Sequence, residues 1–393
     1  MSKKVIDFFG DISDETKIKQ KTAIRKYEEY HNQTMEKLIE EALFEQKNDV
    51  PYHELKVYER LLDFRNFLVK NDYSLNTITH YFTTIKTVYN KCRVEIPTLP
   101  SLNIKRAKKY DAIEFEQLLT KEEIVEAMYL MSPHQKARTM AMATGGLSNQ
   151  ECSVLTTRQF IDDLYCYHQE NNDILALQFL ANSDNIVWVT KIIRQKTKKP
   201  YYAVFNPETV SIIAQSKLKE KTLKHHLLPS NKIYFNQVCS RINDQLGFGS
   251  AGAYRRFRPH MLRKFHATAI SGAVLDYEEQ LEIREIDELQ GRGKTPTQAT
   301  YMKTNKLRQK LLYCKVMNNV SLFNQYDYDF VDGDVVVTRR NPFEEVRKTR
   351  EENKKLKNDL LKSQEPSQKV ESLIKEMGFD NFKQGLSKLL EQY

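Results

Sequence analysis

Helical periodicity runs through the first hundred residues and then stops in "IPTLPSLNIKRAKKYDAIEF", residues 96–115. Pro97 and Pro100 lack the amide hydrogen a helix needs, and each biases the residue before it toward extended angles. One continuous helical bundle is therefore excluded, and the segments on either side must close their own cores. The 393-residue length agrees, because domains of about 100–150 residues are the commonest size.

Before the break, residues 15–48 place Ile24, Tyr27, Met35, Leu38, Ile39, Ala42 and Leu43 in helical steps. This predicts an N-terminal helical segment over residues 1–50. Residues 51–96 predict a small helical domain. Tyr58, Leu61, Leu62, Phe64 and Leu68 suit one amphipathic helix, and Ile78, Tyr81, Phe82, Ile85, Val88 and Tyr89 suit a second, capped by Ser74 or Asn76. Residues 97–112 read as a linker. Its Lys105, Arg106, Lys108 and Lys109 either track a phosphate backbone or keep a hinge solvated.

A larger domain is predicted over 113–325. Thr120 and Glu123 have the spacing of a capping box, with helix through Leu130 and again from Gln135 to Met142. "ILALQFL" (174–180) reads as a short apolar strand. "IVWVTKIIRQKTKKPYYAVFNPE" (186–208) reads as two β segments joined by a polar turn at Thr197–Lys199. Helix resumes from Glu208, with another from about Asn305 to Val316, and residues 326–393 read as a charged helical tail. The tail's Phe343, Val346, Leu356 and Leu360 form too short a heptad for a coiled coil. The fold class expected is mainly α with a small antiparallel β-sheet (α+β).

Lysine and arginine number 61 against 52 acidic residues, a net charge of +9, which favours a polyanionic partner, nucleic acid before membrane. No run approaches the roughly 20 apolar residues that span a bilayer. The opening "MSKKVIDFFGDISDETK" has acidic residues where a signal peptide carries its apolar core, so a cytoplasmic protein is expected. The five cysteines form no CxxC pair and read as reduced thiols, with neither a zinc site nor a disulfide framework. No cofactor or metal is expected.

Four stretches carry a common resemblance. "PHMLRKFHATAI" (259–270) places His260 and Arg263 among the apolar Met261, Leu262, Phe265 and Ala267. "LQGRGKTPTQATYMK" (289–303) sets Arg292 and Tyr301 nine residues apart (301 − 292 = 9). "IIRQKTKKPYYAV" (192–204) carries Lys196 before Thr197, with Lys198 and Lys199 as alternatives in the same turn, and "ATGGLSNQECSVL" (143–155) carries Glu151. Together these resemble the boxes of the tyrosine recombinase (phage integrase) family. "SLNTITHYF" (74–82) is similar to that family's core-binding domain, and residues 1–50 resemble, more loosely, helices preceding it in archaeal and archaeal-viral integrases.

The resemblance implies two domains closing as a C-shaped clamp on DNA. It also implies Tyr301 as nucleophile, Arg263 and His260 on the scissile phosphate, and Lys196 as general acid for the leaving 5′ oxygen. Cleavage then proceeds through a 3′-phosphotyrosine, without cofactor, by a homo-tetramer that is a monomer off DNA. The sequence departs from the family at Ser148, where the first catalytic arginine belongs; serine cannot supply a permanent cation. Arg292, Arg138 or Arg158 is expected to supply the charge. The alternatives are a sequence-specific DNA-binding protein of the same fold that has lost cleavage, and a type IB topoisomerase-like relaxer. His266 reads as structural.

Overall fold

The computed structural model describes residues 14–101, 113–194, 197–228, 231–272, 281–292, 305–340, 354–355 and 375–376. Two compact units divide at Ile113: Met1–Ile113 and Glu114–Tyr393.

Among the described residues the first unit holds four helices: α1 (Asp14–His31), α2 (Met35–Lys47), α3 (Lys56–Lys70) and α4 (Leu75–Lys91). Thr34 caps α2 through Lys37 N–H. Ser74 caps α4 through Thr77 N–H, which settles the choice between Ser74 and Asn76. The core draws on all four helices, with Ile24 and Tyr27 of α1 and Leu38 of α2 buried beside Leu61, Phe64, Ile85 and Tyr89. Residues 14–50 thus share one apolar core with residues 51–96.

The second unit contains α5 (Lys121–Tyr129), α6 (Pro133–Ala143), α7 (Thr157–Asp163), α8 (Tyr165–His168), α9 (Asp173–Asn182), β1 (Trp188–Ile193), β2 (Pro200–Phe205), α10 (Pro207–Leu218), α11 (Lys232–Gln245), β3 (Ser250–Ala251), β4 (Tyr254–Arg255), α12 (Pro259–Ile270), α13 (Ile283–Leu289), α14 (Lys306–Val320), β5 (Tyr326–Val331) and β6 (Asp334–Arg339). The fold is mainly helical, with small two-stranded antiparallel sheets pairing β1 with β2, β3 with β4, and β5 with β6. Helix α6 is buried along most of its length and packs on α10 and α12. The Thr120–Glu123 capping box forms as the spacing predicts.

Two elements differ from their sequence reading. "ILALQFL" is helix α9 rather than a strand: Asn172 caps it by accepting from Ile174 and Leu175 N–H, while Ala176, Leu177 and Leu180 face inward. The tail reading also fails at its start, because Tyr326–Val331 and Asp334–Arg339 are paired strands. Asp332 and Gly333 make their two-residue turn, both at positive φ (50° and 83°), and Tyr326, Val335 and Val337 join the core.

Candidate active site

Helix α12 starts where it does because Pro259 takes the first helical position, whose amide hydrogen no helix would use, behind an extended Arg258 (φ −153°, ψ 161°). Its inner face buries Met261, Leu262, Phe265, His266 and Ile270. Arg263 lies on the same helix and is only 9% exposed. Its Nη1 donates to Gly146 O (2.6 Å) and to Glu151 Oε2 (3.1 Å), and its Nη2 donates to Gln290 O (2.5 Å). One guanidinium therefore joins three segments far apart in sequence: the turn after α6, helix α12, and the end of α13.

The turn after α6 shows what Ser148 does. Glu151 Oε2 accepts from Ser148 N–H (2.8 Å), and Glu151 N–H donates to Ser148 Oγ (3.3 Å). This is the reciprocal pattern of a capping box. It holds the Glu151 carboxylate, itself 2% exposed, in reach of Arg263.

Of the three arginines expected to replace the missing cation, two are engaged elsewhere. Arg138 is fully buried. It donates through Nε to Asn149 Oδ1 (3.0 Å), and through Nη2 to the same oxygen (2.6 Å), to the Asn149 carbonyl and to Ser153 Oγ (3.2 Å), while stacking on the Phe235 ring. Burial holds its pKa below the usual arginine range. Arg158 is exposed and pairs with Asp162 (Nε–Oδ2 2.9 Å) and Asp173 (3.2 Å). Arg292 is half-exposed, pairs loosely with Asp287 (3.4 Å), and is close enough to His260 for its charge to act there.

His260 reaches solvent at the first turn of α12. Crowding around the ring holds its imidazole below the ordinary value, and the charges of Lys264, Arg258, Arg263 and Arg292 lower it further. Four cationic side chains thus act on one imidazole. Lys264 lies one helical turn after His260, on the same face. Arg258 sits at the N-cap, its guanidinium over the Tyr254 ring (5.1 Å) and donating to Arg255 O. The sequence reading missed Arg258 and Lys264; the i, i+4 spacing from His260 was the available signal.

His266 is 1% exposed. Its Nδ1 accepts from Gln290 Nε2 (3.1 Å), and the Thr144 backbone carbonyl takes a further hydrogen bond from the ring. Burial, with help from Arg263, holds its pKa down at about 3, so it stays neutral and braces Gln290. Gly146 is at φ +66°, and a Cβ there would lie 2.5 Å from His266 Nδ1, so the turn approaches α12 this closely only because it is glycine.

The β1–β2 hairpin forms the remaining wall. Its register runs from Trp188↔Phe205 to Ile193↔Pro200, and the turn closes with Arg194 N–H donating to Lys199 O (2.9 Å) and Lys198 N–H to Arg194 O (2.8 Å). Lys198, at φ +55°, and Lys199 are exposed at the tip. Tyr201 of β2 is buried beside Glu151, and burial and that carboxylate hold its phenol well above the ordinary range. Arg194 Nη1 donates to Gly291 O (2.5 Å), a contact with no sequence signal. Lys196, Tyr301, Lys105, Arg106, Lys108 and Lys109 lie outside the described residues. Among the described residues no three of His, Cys, Asp and Glu gather as a metal site, and no helix is long and apolar enough to cross a membrane.

No protein-family model matches this chain, and no curated protein matches it either. Among solved structures it is similar to XerA recombinase (14% identity, 79% of this chain and 95% of that one, TM-score 0.32). It is also similar to the integrase of mycobacterium phage Brujita (11% identity, 81% and 90%, TM-score 0.35). A third is the Tn1549 transposon integrase in complex with transposon right-end DNA (12% identity, 78% and 97%, TM-score 0.46). The structural neighbours are recombinases and integrases.

Proposed function

We propose that this chain is a site-specific DNA strand transferase of the integrase type. The observation that carries the reading is the guanidinium of Arg263, which ties the turn holding Gly146 and Glu151 and the Gln290 carbonyl to the helix that presents the exposed His260. A nearly buried cation and a cation-surrounded imidazole at a helix start suit a phosphate, whose nonbridging oxygens accept charge-assisted hydrogen bonds. In this reading Tyr301 Oη gives up its proton to His260 and attacks the scissile phosphorus, forming an O–P bond as the bond to the 5′ oxygen breaks. Lys196, or its neighbours Lys198 and Lys199, gives the leaving oxygen its proton. Arg263 and His260 hold the phosphate, Arg292 supplies charge absent at Ser148, and attack by another 5′ hydroxyl reverses the step. The reading includes specific duplex sites, a tetramer assembled on DNA, contacts from Lys105, Arg106, Lys108 and Lys109 to phosphates, and a cytoplasmic setting.

The test is covalent trapping on nicked duplexes taken from the chain's own genetic neighbourhood. Wild-type protein is expected to form an adduct resistant to denaturation, and Tyr301→Phe to lose it while binding the same DNA. An adduct that survives Tyr301→Phe would overturn the assignment. A second reading, DNA binding without cleavage, is favoured by one observation: Ser148 is committed to the capping box and leaves its place without a cation. Specific binding with no adduct from wild type would select it.

A further inference from the structure

We propose that Arg194 is a positioning residue that sets the hairpin against the Gln290–Arg292 segment, an assignment that rests on the strand-transfer reading above. Two successive carbonyls of that segment are each held by a guanidinium. Gln290 O accepts from Arg263 Nη2 on one side and Gly291 O from Arg194 Nη1 on the other, each at 2.5 Å. The Gln290 side chain meets His266, and Gly291 rests on the Tyr201 ring, where a Cβ would come within 2.7 Å of three ring carbons. Gly291 sits at φ +60°, which turns its carbonyl toward the hairpin at a backbone conformation other residues rarely adopt.

Arg194 also takes part in both backbone bonds that close the hairpin turn. The same residue thus fixes the turn's shape through its backbone and its placement through its side chain. The strands below the turn are anchored by Trp188 and Phe205, stacked at 4.7 Å. A hairpin anchored at its base and tied near its tip by Arg194 keeps its lysines in register with a phosphate on Arg263. Without this tie the strand base remains and the tip loses the bond that sets it against Gly291.

The consequence belongs to the leaving group. In the oxygen substrate the departing 5′ alkoxide takes a proton from the hairpin's ammonium. In a 5′-bridging phosphorothiolate the P–S bond breaks, the electron pair leaves on sulfur as a thiolate, and no proton is needed, because thiols have pKa values near about 8.5. Adduct formation is therefore measured on both substrates with wild type, Arg194→Ala and Arg194→Lys. Arg194→Ala is expected to be slower by about 10²-fold on oxygen, the scale of a misplaced catalytic group. It should fall within about threefold of wild type on sulfur, with unchanged DNA affinity. Arg194→Lys keeps one donor and falls between. Equal loss on both substrates, or loss of DNA affinity that accounts for the rate, overturns the assignment. If wild type forms an adduct on neither substrate, the strand-transfer reading itself fails.

Discussion

Replacing Arg263 by methionine isolates the energetic role of the central ion pair. Glu151 is 2% exposed, and its Oε2 accepts from Arg263 (3.1 Å) and from Ser148 N–H (2.8 Å). Methionine keeps much of the side-chain volume but leaves that carboxylate buried with one neutral donor. Removing one partner of a buried pair costs about 3–5 kcal/mol, because the remaining charge keeps its desolvation penalty. The carbonyls of Gly146 and Gln290 lose their donor as well, at about 1 kcal/mol each if no water replaces it. Trp188 is the chain's single tryptophan and is fully buried in the second unit, so its fluorescence during urea titration reads that unit alone. Together these come to about 5–7 kcal/mol, so with a slope of about 2–3 kcal/mol/M the midpoint should fall by about 1.7–3.5 M. Adding Glu151→Gln removes the orphaned charge, so the double variant should recover about 2 kcal/mol over Arg263→Met. A loss below about 1 kcal/mol for the single variant, or a double variant as unstable as the sum of the two singles, would refute the account.

Three further outcomes follow from the same contacts. Ser148→Arg should lower stability by about 1 kcal/mol in the same titration, because Glu151 N–H loses its cap. Wild type should form the adduct without it; an adduct from the Ser148→Arg protein alone would show that no cation compensates. Gly291→Ala should cost about 2–5 kcal/mol, combining positive φ with a Cβ driven against the Tyr201 ring, whereas Gly247→Ala, at φ +66° in open space, should cost only about 1–2 kcal/mol. His266 has a folded-state pKa of about 3 against 6.5 unfolded, so protons bind the unfolded chain first. Its stabilising contribution is complete above pH 6.5 and falls as pH drops toward 3; between pH 6.5 and 4.5 wild type should lose up to about 1.4 kcal/mol per pH unit more than His266→Gln. Parallel pH profiles would exclude that linkage.

Much of the fold was legible because it depends on local chemistry. The helix starts were readable where a short polar side chain precedes an apolar period, as at Ser74, Thr120 and Asn305. The β1–β2 hairpin was readable from two β-branched and aromatic runs around a lysine-rich turn. Helix α9 was not, since it also leaves Ile174, Leu175 and Phe179 exposed; apolar on both faces and ten residues long, it gives no period to tell it from a strand. The β5–β6 hairpin had a usable signal in "VDGDV", but the charged sequence after it drew the segment into a helical reading.

The site divides in the same way. Spacing along α12 sufficed to bring His260 and Arg263 onto one helix start, and the S-x-x-E pattern at Ser148 is a local capping signal. That Arg263 reaches Gly146, Glu151 and Gln290 together, that Arg138 is enclosed around Asn149, and that Arg194 holds Gly291 O were decided only by tertiary packing. Helical periods and caps act over a few residues, so the sequence carries them by itself. Where a guanidinium finds its acceptors depends on which distant backbone carbonyls the core leaves facing it, and that is fixed only once the helices have packed.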